Sequence, residues 1–367
     1  MARFRVLPLL LATAACHGGG AVSPPDACTS CLIDGSSLCF PSQPGGQVGD
    51  ACASTPEDKT LGDTLVDTNF DAPMCEADYH APYCMISGTN VTISAGAMVT
   101  ASGIRPLLVV AYDTIVLDGT IDVGSHRTPS EVIGAAADTS TCETGAGVDD
   151  PAGGTGGAGG SFQFPGGAGG AVGAMGGGQP LRAVSTVTLH GGCRGAAGGN
   201  YQGAGSGAEG HSGGALYLMA RNGIKLGASA RVLANGEGGG AAGIGGGGGG
   251  GGTGGMIVLD APMIAMADSA TILAEGGGGG GGGALGGNGQ DGGDAIATIA
   301  AIGGAATAPA GGGGAGSRQS AGGAGGAGPT GSTTSTGGGG GGGGASGYVL
   351  LYGTATGSPT ISPAPGP

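Results

Sequence analysis

The sequence predicts an all-β fold, a right-handed parallel β-helix (solenoid) with long glycine-rich loops. Three observations carry that expectation. Apolar and polar residues alternate with the two-residue period of strands from about Val91 onward. A unit of three short strands recurs along the chain, its clearest copies starting at Ala215 and Met256, about 41 residues apart. Glycine makes up 96 of the 367 residues, while five Phe, seven Tyr and no Trp leave material only for a thin, repetitive core.

The first element is a leader. Met1-Ala-Arg-Phe-Arg5 is basic, Val6 to Ala12 is apolar, and Thr13-Ala14-Ala15-Cys16 supplies small residues at a cleavage point. The apolar run is far short of the ~20 residues that span a bilayer, so residues 1–15 read as a signal peptide and not as an anchor. Small residues running into Cys16 resemble the lipobox of bacterial lipoproteins. That resemblance implies acylation of Cys16, and the His17 that follows it implies outer-membrane sorting. Ordinary cleavage after Ala14, leaving a secreted protein, is the alternative.

Residues 16–60 are rich in Pro, Gly, Ser and Asp and hold four further cysteines, which reads as a disulfide-stapled stalk. With Cys16 acylated, the remaining cysteines (Cys28, Cys31, Cys39, Cys52, Cys75, Cys84, Cys142 and Cys193) form an even set suited to an oxidising compartment. Proximity pairs Cys28, Cys31, Cys39 and Cys52 among themselves, and Cys75 with Cys84. Cys142 with Cys193 would then tie a long excursion together. Cys28-Thr-Ser-Cys31 lacks the second pair or histidines of a zinc knuckle, so no metal is assigned there.

Residues 61–367 read as the glycine-rich solenoid. The copy at 213–236 is GGALYLMARNGIKLGASARVLANG, and that at 254–276 is GGMIVLDAPMIAMADSATILAEG. Each holds a first strand (Ala215 to Met219; Met256 to Leu259), a second (Ile224 to Leu226; Met263 to Met266) and a third (Arg231 to Ala234; Thr271 to Ala274). An earlier copy runs from Pro106 to Gly124, a worn one from Ala183 to Leu189, and Tyr348 to Tyr352 opens a last one. Such copies bury an apolar face only by stacking. Asp118-Gly119, Asn222-Gly223 and Ala261-Pro262 stand at the expected corners.

Runs of eight glycines occur at 245–252, 276–283 and 337–344. Two arrangements compete for them. As free loops they cost little, because closure entropy grows slowly with length. As polyglycine-II-like extended helices lying side by side, they offset an ordering cost of about 1–2 kcal/mol per residue with backbone hydrogen bonds and Cα–H···O contacts.

The chemistry of a site is thinly represented. The formal charge is −14, with nine Arg and two Lys, which excludes nucleic-acid binding and attraction to anionic lipid. Gly210-His211-Ser212-Gly213-Gly214 has the spacing of a nucleophile elbow, but a strand follows it and no later histidine exists. Gly286 to Asp291 opens like a calcium-binding nonapeptide without tandem copies. Asp118 reads as a corner residue, Asp122 as solvent-facing, and Asp113 and Asp260 as turn residues ending first strands. The ends of the third strands carry Asp122, His126, Asn235, Glu237 and Glu275, a polar ladder whose bland reading is a solvated edge. Tyr112 and Tyr217 are the few aromatics available to a sugar. No cofactor is expected.

The blocks GTIDVGSHR, CETGAG, GGALYL/ANGEGGG and GGMIVL/AEGGGG resemble glycine-rich, PE-PGRS-like secreted proteins and lipoproteins of myxobacteria over roughly residues 85 to 353. The resemblance implies an exported surface protein with no established activity. The expectation is therefore a cell-surface structural or adhesive lipoprotein, more a non-enzyme than an enzyme. Its partners would be extracellular polysaccharide or other surface proteins, and its only membrane contact the lipid anchor. The alternatives are a surface polysaccharide lyase or hydrolase using Asp113, Asp122 or Glu275, and a non-catalytic glycan-binding module.

Overall fold

The computed structural model describes residues 57–366 apart from 71, 76–81, 128, 140–141, 143–144, 182–187, 204, 297–298 and 329–335, together with the backbone of 38–40 and 51–53. The signal peptide, Cys16, Cys28, Cys31 and most of the worn copy near Ala183 lie outside the described residues. In chain order the strands are β1 (Leu38–Phe40), β2 (Ala51–Ala53), β3 (Lys59–Leu61), β4 (Thr64–Asp67), β5 (Cys84–Gly88), β6 (Val91–Ile93), β7 (Met98–Ser102), β8 (Leu107–Ala111), β9 (Thr114–Leu117), β10 (Thr120–Asp122), β11 (Ala215–Ala220), β12 (Gly223–Leu226), β13 (Arg231–Leu233), β14 (Met256–Met266), β15 (Thr271–Leu273), β16 (Tyr348–Thr356) and β17 (Thr360–Ser362). None of the described residues is helical, and none forms a membrane-spanning helix.

The strands assemble into two parallel sheets. One has six strands in the order β17-β15-β13-β10-β7-β4; the other has nine, β3-β6-β9-β12-β14-β11-β8-β5, with β16 paired along β14. The separate two-stranded ladder β1-β2 is antiparallel and sets Cys39 opposite Cys52 in backbone register. These sheets correct the expectation of a right-handed β-helix solenoid. Asp260-Ala261-Pro262 is not a corner between two strands. β14 runs through it, pairing Met256–Asp260 along β11 (at Ala215–Met219) and Ile264–Met266 along β12, with only a register shift against β16 between Asp260 and Met263. β14 thereby welds the two arms of the nine-stranded sheet into one. Between β10 and β11, and again between β15 and β16, the chain leaves the sheets altogether. Regular coils of about 41 residues are not formed there.

Alternation dictates which face is buried. Ile121, Val232 and Ile272 of the six-stranded sheet share one core with Leu216, Leu218, Ile257 and Leu259 of one arm and Ile115, Ile224 and Ile264 of the other. β8, β11 and the first half of β14 are apolar on both faces, the mark of strands covered on both sides. Their outer residues Leu108, Val110, Tyr217, Met219 and Val258 pack with Phe162 and Leu189 in a second cluster.

The glycine tracts are ordered. Every N–H from Gly247 to Gly255 donates to a neighbouring tract, and every carbonyl from Gly245 to Thr253 accepts, at 2.6–3.0 Å. The partners rotate with a period of three. Gly247, Gly250 and Thr253 donate to 193–199, Gly248, Gly251 and Gly254 to 339–345, and Gly249, Gly252 and Gly255 to 234–240. The accepted bonds come from 154–160, 207–213 and 277–283 with the same step. Three residues per turn is the repeat of a polyproline-II-type helix, and six neighbours make a hexagonal packing. All N–H groups of 276–283 and 338–344 are likewise donated.

Close approach explains the composition. A Cβ on Gly249 would run into the carbonyl of Ala208, and one on Gly341 into that of Gly249. Edge tracts are relieved of this on their outer side. There alanine appears at every third residue, as Ala168 and Ala171 or the exposed Ala324 and Ala327. The pure eight-glycine runs are the ones surrounded by other tracts.

Among the described residues, two disulfides close this framework. Cys75–Cys84 lies beside β5, and Cys142–Cys193 joins residues 51 apart across the first excursion.

Candidate functional site

β13 and β15 run directly into glycine tracts, so polar residues at their ends are roofed by tracts from elsewhere in the chain. This overturns the solvated-edge reading. Asn235, Glu237 and Glu275 are fully buried, and Asp122, expected to face solvent, is 7% exposed. Asp122 accepts from the Gly124 amide at 2.8 Å through Oδ1 and lies 2.9 Å from His126 Nε2 through Oδ2. Asn235 Oδ1 accepts from the Glu275 amide at 2.9 Å.

The two fully buried glutamates are each met by an arginine that the sequence did not single out. Arg127 Nη2 lies 2.6 Å from Glu237, and Arg318 Nε donates to Glu275 at 2.8 Å. Arg127 also donates to the carbonyls of Gly238 and Glu209, while Asp294 accepts from the Arg127 and Gly238 amides. Beside this pair, His211 Nδ1 lies 2.5 Å from Asp138 Oδ2, and its Nε2 is 3.4 Å from Glu131. The structure thus divides the ladder. Asp122, His126 and Glu237 belong to one ionic cluster with Arg127, Glu131, Asp138, His211 and Asp294, whereas Glu275 pairs with Arg318.

Burial and partners set the protonation. Burial pushes the Glu237 carboxyl up to about 7, although Arg127 and His211 pull the other way. Glu275 is raised by burial against the opposing pull of Arg318. The bonds to Asp122 and Asp138 raise His126 and His211 above their ordinary range, outweighing desolvation.

The remaining candidates resolve one by one. Ser212 is buried, its Oγ accepting from the Asp138 amide at 2.8 Å and its amide donating to Asp138 Oδ1 at 3.0 Å, so its hydroxyl is a structural acceptor in a glycine tract. Asp260, read as a turn residue, is buried within β14 and accepts from Tyr217 Oη at 2.7 Å. Tyr217 is therefore no sugar platform. Asp113 holds the Asn222 amide group at 2.7 Å, and Asp291 accepts from the Ala241 amide. Asp113, Asp122 and Glu275 have separate partners and do not share a contact. The signal that could have exposed Arg127, Asp138, Asp294 and Arg318 is rarity, because charged residues are only 10% of the chain and each one inside glycine-rich sequence needs a counter-charge.

No family model, curated protein or solved structure matches this chain.

Proposed function

We propose that the protein is an exported structural or adhesive protein of the cell surface, lipid-anchored through Cys16. It would act by holding a rigid backbone-packed bundle away from its anchor, against extracellular polysaccharide or other surface proteins. The observation that carries this reading is the hexagonal glycine packing, which spends nearly every amide of the central tracts on cohesion. The hydrogen bonds Gly243→Gly205, Gly283→Gly246 and Gly338→Gly283 gather the turns of several tracts at one end of the bundle. Met175, Ile244 and Leu285 project there, at 38%, 52% and 61% exposure. Aliphatic side chains held on rigid turns are a contact surface with little ordering cost left for a partner to meet. Disulfides accord with an oxidising, extracellular setting. The glycine-rich surface proteins that the sequence resembles point the same way.

The test is retention of purified, oxidised protein on producing cells and on their isolated matrix. We expect saturable binding that falls at least tenfold when Met175, Ile244 and Leu285 are together replaced by Ser, with the melting temperature unchanged. Equal retention of the triple variant contradicts the adhesive surface. Release of soluble products from an acidic-polysaccharide panel would favour the enzymatic alternative instead.

A further inference from the structure

We propose that Glu131, His211 and Glu237 form a binding site for a divalent transition-metal ion, with Asp138 as the positioning residue behind His211. The three side chains come from distant parts of the chain: the loop after β10, the tract before β11 and the tract after β13. One ligand atom from each lies within 4.8 Å of the others. Asp138 is itself fixed, taking the Ser212 amide on Oδ1 and His211 Nδ1 on Oδ2. A carboxylate on one imidazole nitrogen selects the tautomer whose other nitrogen ligates. That nitrogen, Nε2, faces Glu131.

A second observation points the same way. Glu237 is fully enclosed, and while its Oε1 faces Arg127, its Oε2 receives only a long 3.4 Å contact from the His211 amide. Arg127 provides its counter-charge at 2.6 Å but is anchored independently on the Gly238 and Glu209 carbonyls. Around this point Asp122, Glu131, Asp138, Glu237 and Asp294 outnumber Arg127 and His126, a surplus of negative charge that a dication held by neutral His211 would reduce. One imidazole with two carboxylates suits Zn²⁺ and its first-row neighbours, while Ca²⁺ and Mg²⁺ prefer oxygen alone. Bonds of ~2.0–2.2 Å require the ligand atoms to draw closer. Glu131, 60% exposed, is the side chain able to swing in.

The site stands whether or not the adhesive role does. Its test uses the full mature chain, oxidised and stripped with chelator, titrated with Zn²⁺ by calorimetry and with Co²⁺ by visible absorption. We expect one ion per chain, binding unaffected by millimolar Ca²⁺, and an affinity at least tenfold lower in Glu131→Gln, whose exposed side chain carries little folding stability. Asp138→Asn should weaken binding by about 10–100-fold and shift the Co²⁺ bands, an effect a purely structural role would not produce. Failure of the unaltered protein to take up Zn²⁺ in stoichiometric amount overturns the proposal, as does unchanged affinity in Glu131→Gln.

Discussion

A methyl group on Gly341 would point into the carbonyl of Gly249, whereas one on Gly312 meets nothing nearer than the Gly304 oxygen at 3.6 Å. Both residues lie in glycine-rich tracts, and only their surroundings differ. Gly341→Ala should therefore destabilise by at least the ~1–3 kcal/mol typical of overpacking, since only backbone is available to move. Gly312→Ala should be neutral, or stabilising by up to ~0.4–1 kcal/mol through the unfolded chain. Paired thermal melts check this, and equal losses in the two variants would mean that the tracts do not pack as described. The site residues show the limit of sequence reading at this scale. Asn235, Glu237 and Glu275 were legible as uncommon polar residues at strand ends. Their burial was not, because the roof over them comes from distant segments, as with Arg318, which reaches Glu275 from 43 positions away.

Strands were the most legible elements, since their alternation is written locally. Ala215 to Met219 and Met256 to Leu259 are seen as equivalent in sequence, and they pair in parallel with Ala215 opposite Met256. Joining was harder to see. Ala261-Pro262 has the chemistry of a corner, yet β14 passes through it with a register shift. Glycine tracts were the least legible, because residues without side chains carry no face pattern. Their one signal is indirect: edge tracts keep an alanine at every third position, the spacing of a three-residue helix. The Cys142–Cys193 disulfide pins the tract at 193–199 to the segment leaving β10, and its 51-residue separation gives it leverage over the unfolded chain. Replacing both cysteines by serine should cost about 2–5 kcal/mol. It should lower the denaturant midpoint under oxidising conditions, and an unaltered midpoint would mean that the bundle holds that segment without the bond.

At the scale of the whole molecule, two organising principles meet along one seam. Below it, side chains do the work: both sheets close on a single aliphatic core, and the strands covered on both faces are the ones packed against Phe162 and Leu189. Above it, backbone does the work, with hydrogen bonds running in six directions from each central tract. The ionic cluster sits at that seam, where each strand gives way to a tract and buried charge finds its partner. Composition alone predicted a thin, repetitive core. It did not decide that the glycine portion would be densely hydrogen-bonded through its backbone.

That density is best measured by amide hydrogen exchange resolved to the glycine tracts of the purified, oxidised protein. Protection of 247–253, 277–283 and 338–344 comparable to that of β11 and β14 is the predicted result. Exchange of those amides at random-coil rates, while the strands remain protected, would contradict it and return the tracts to free loops.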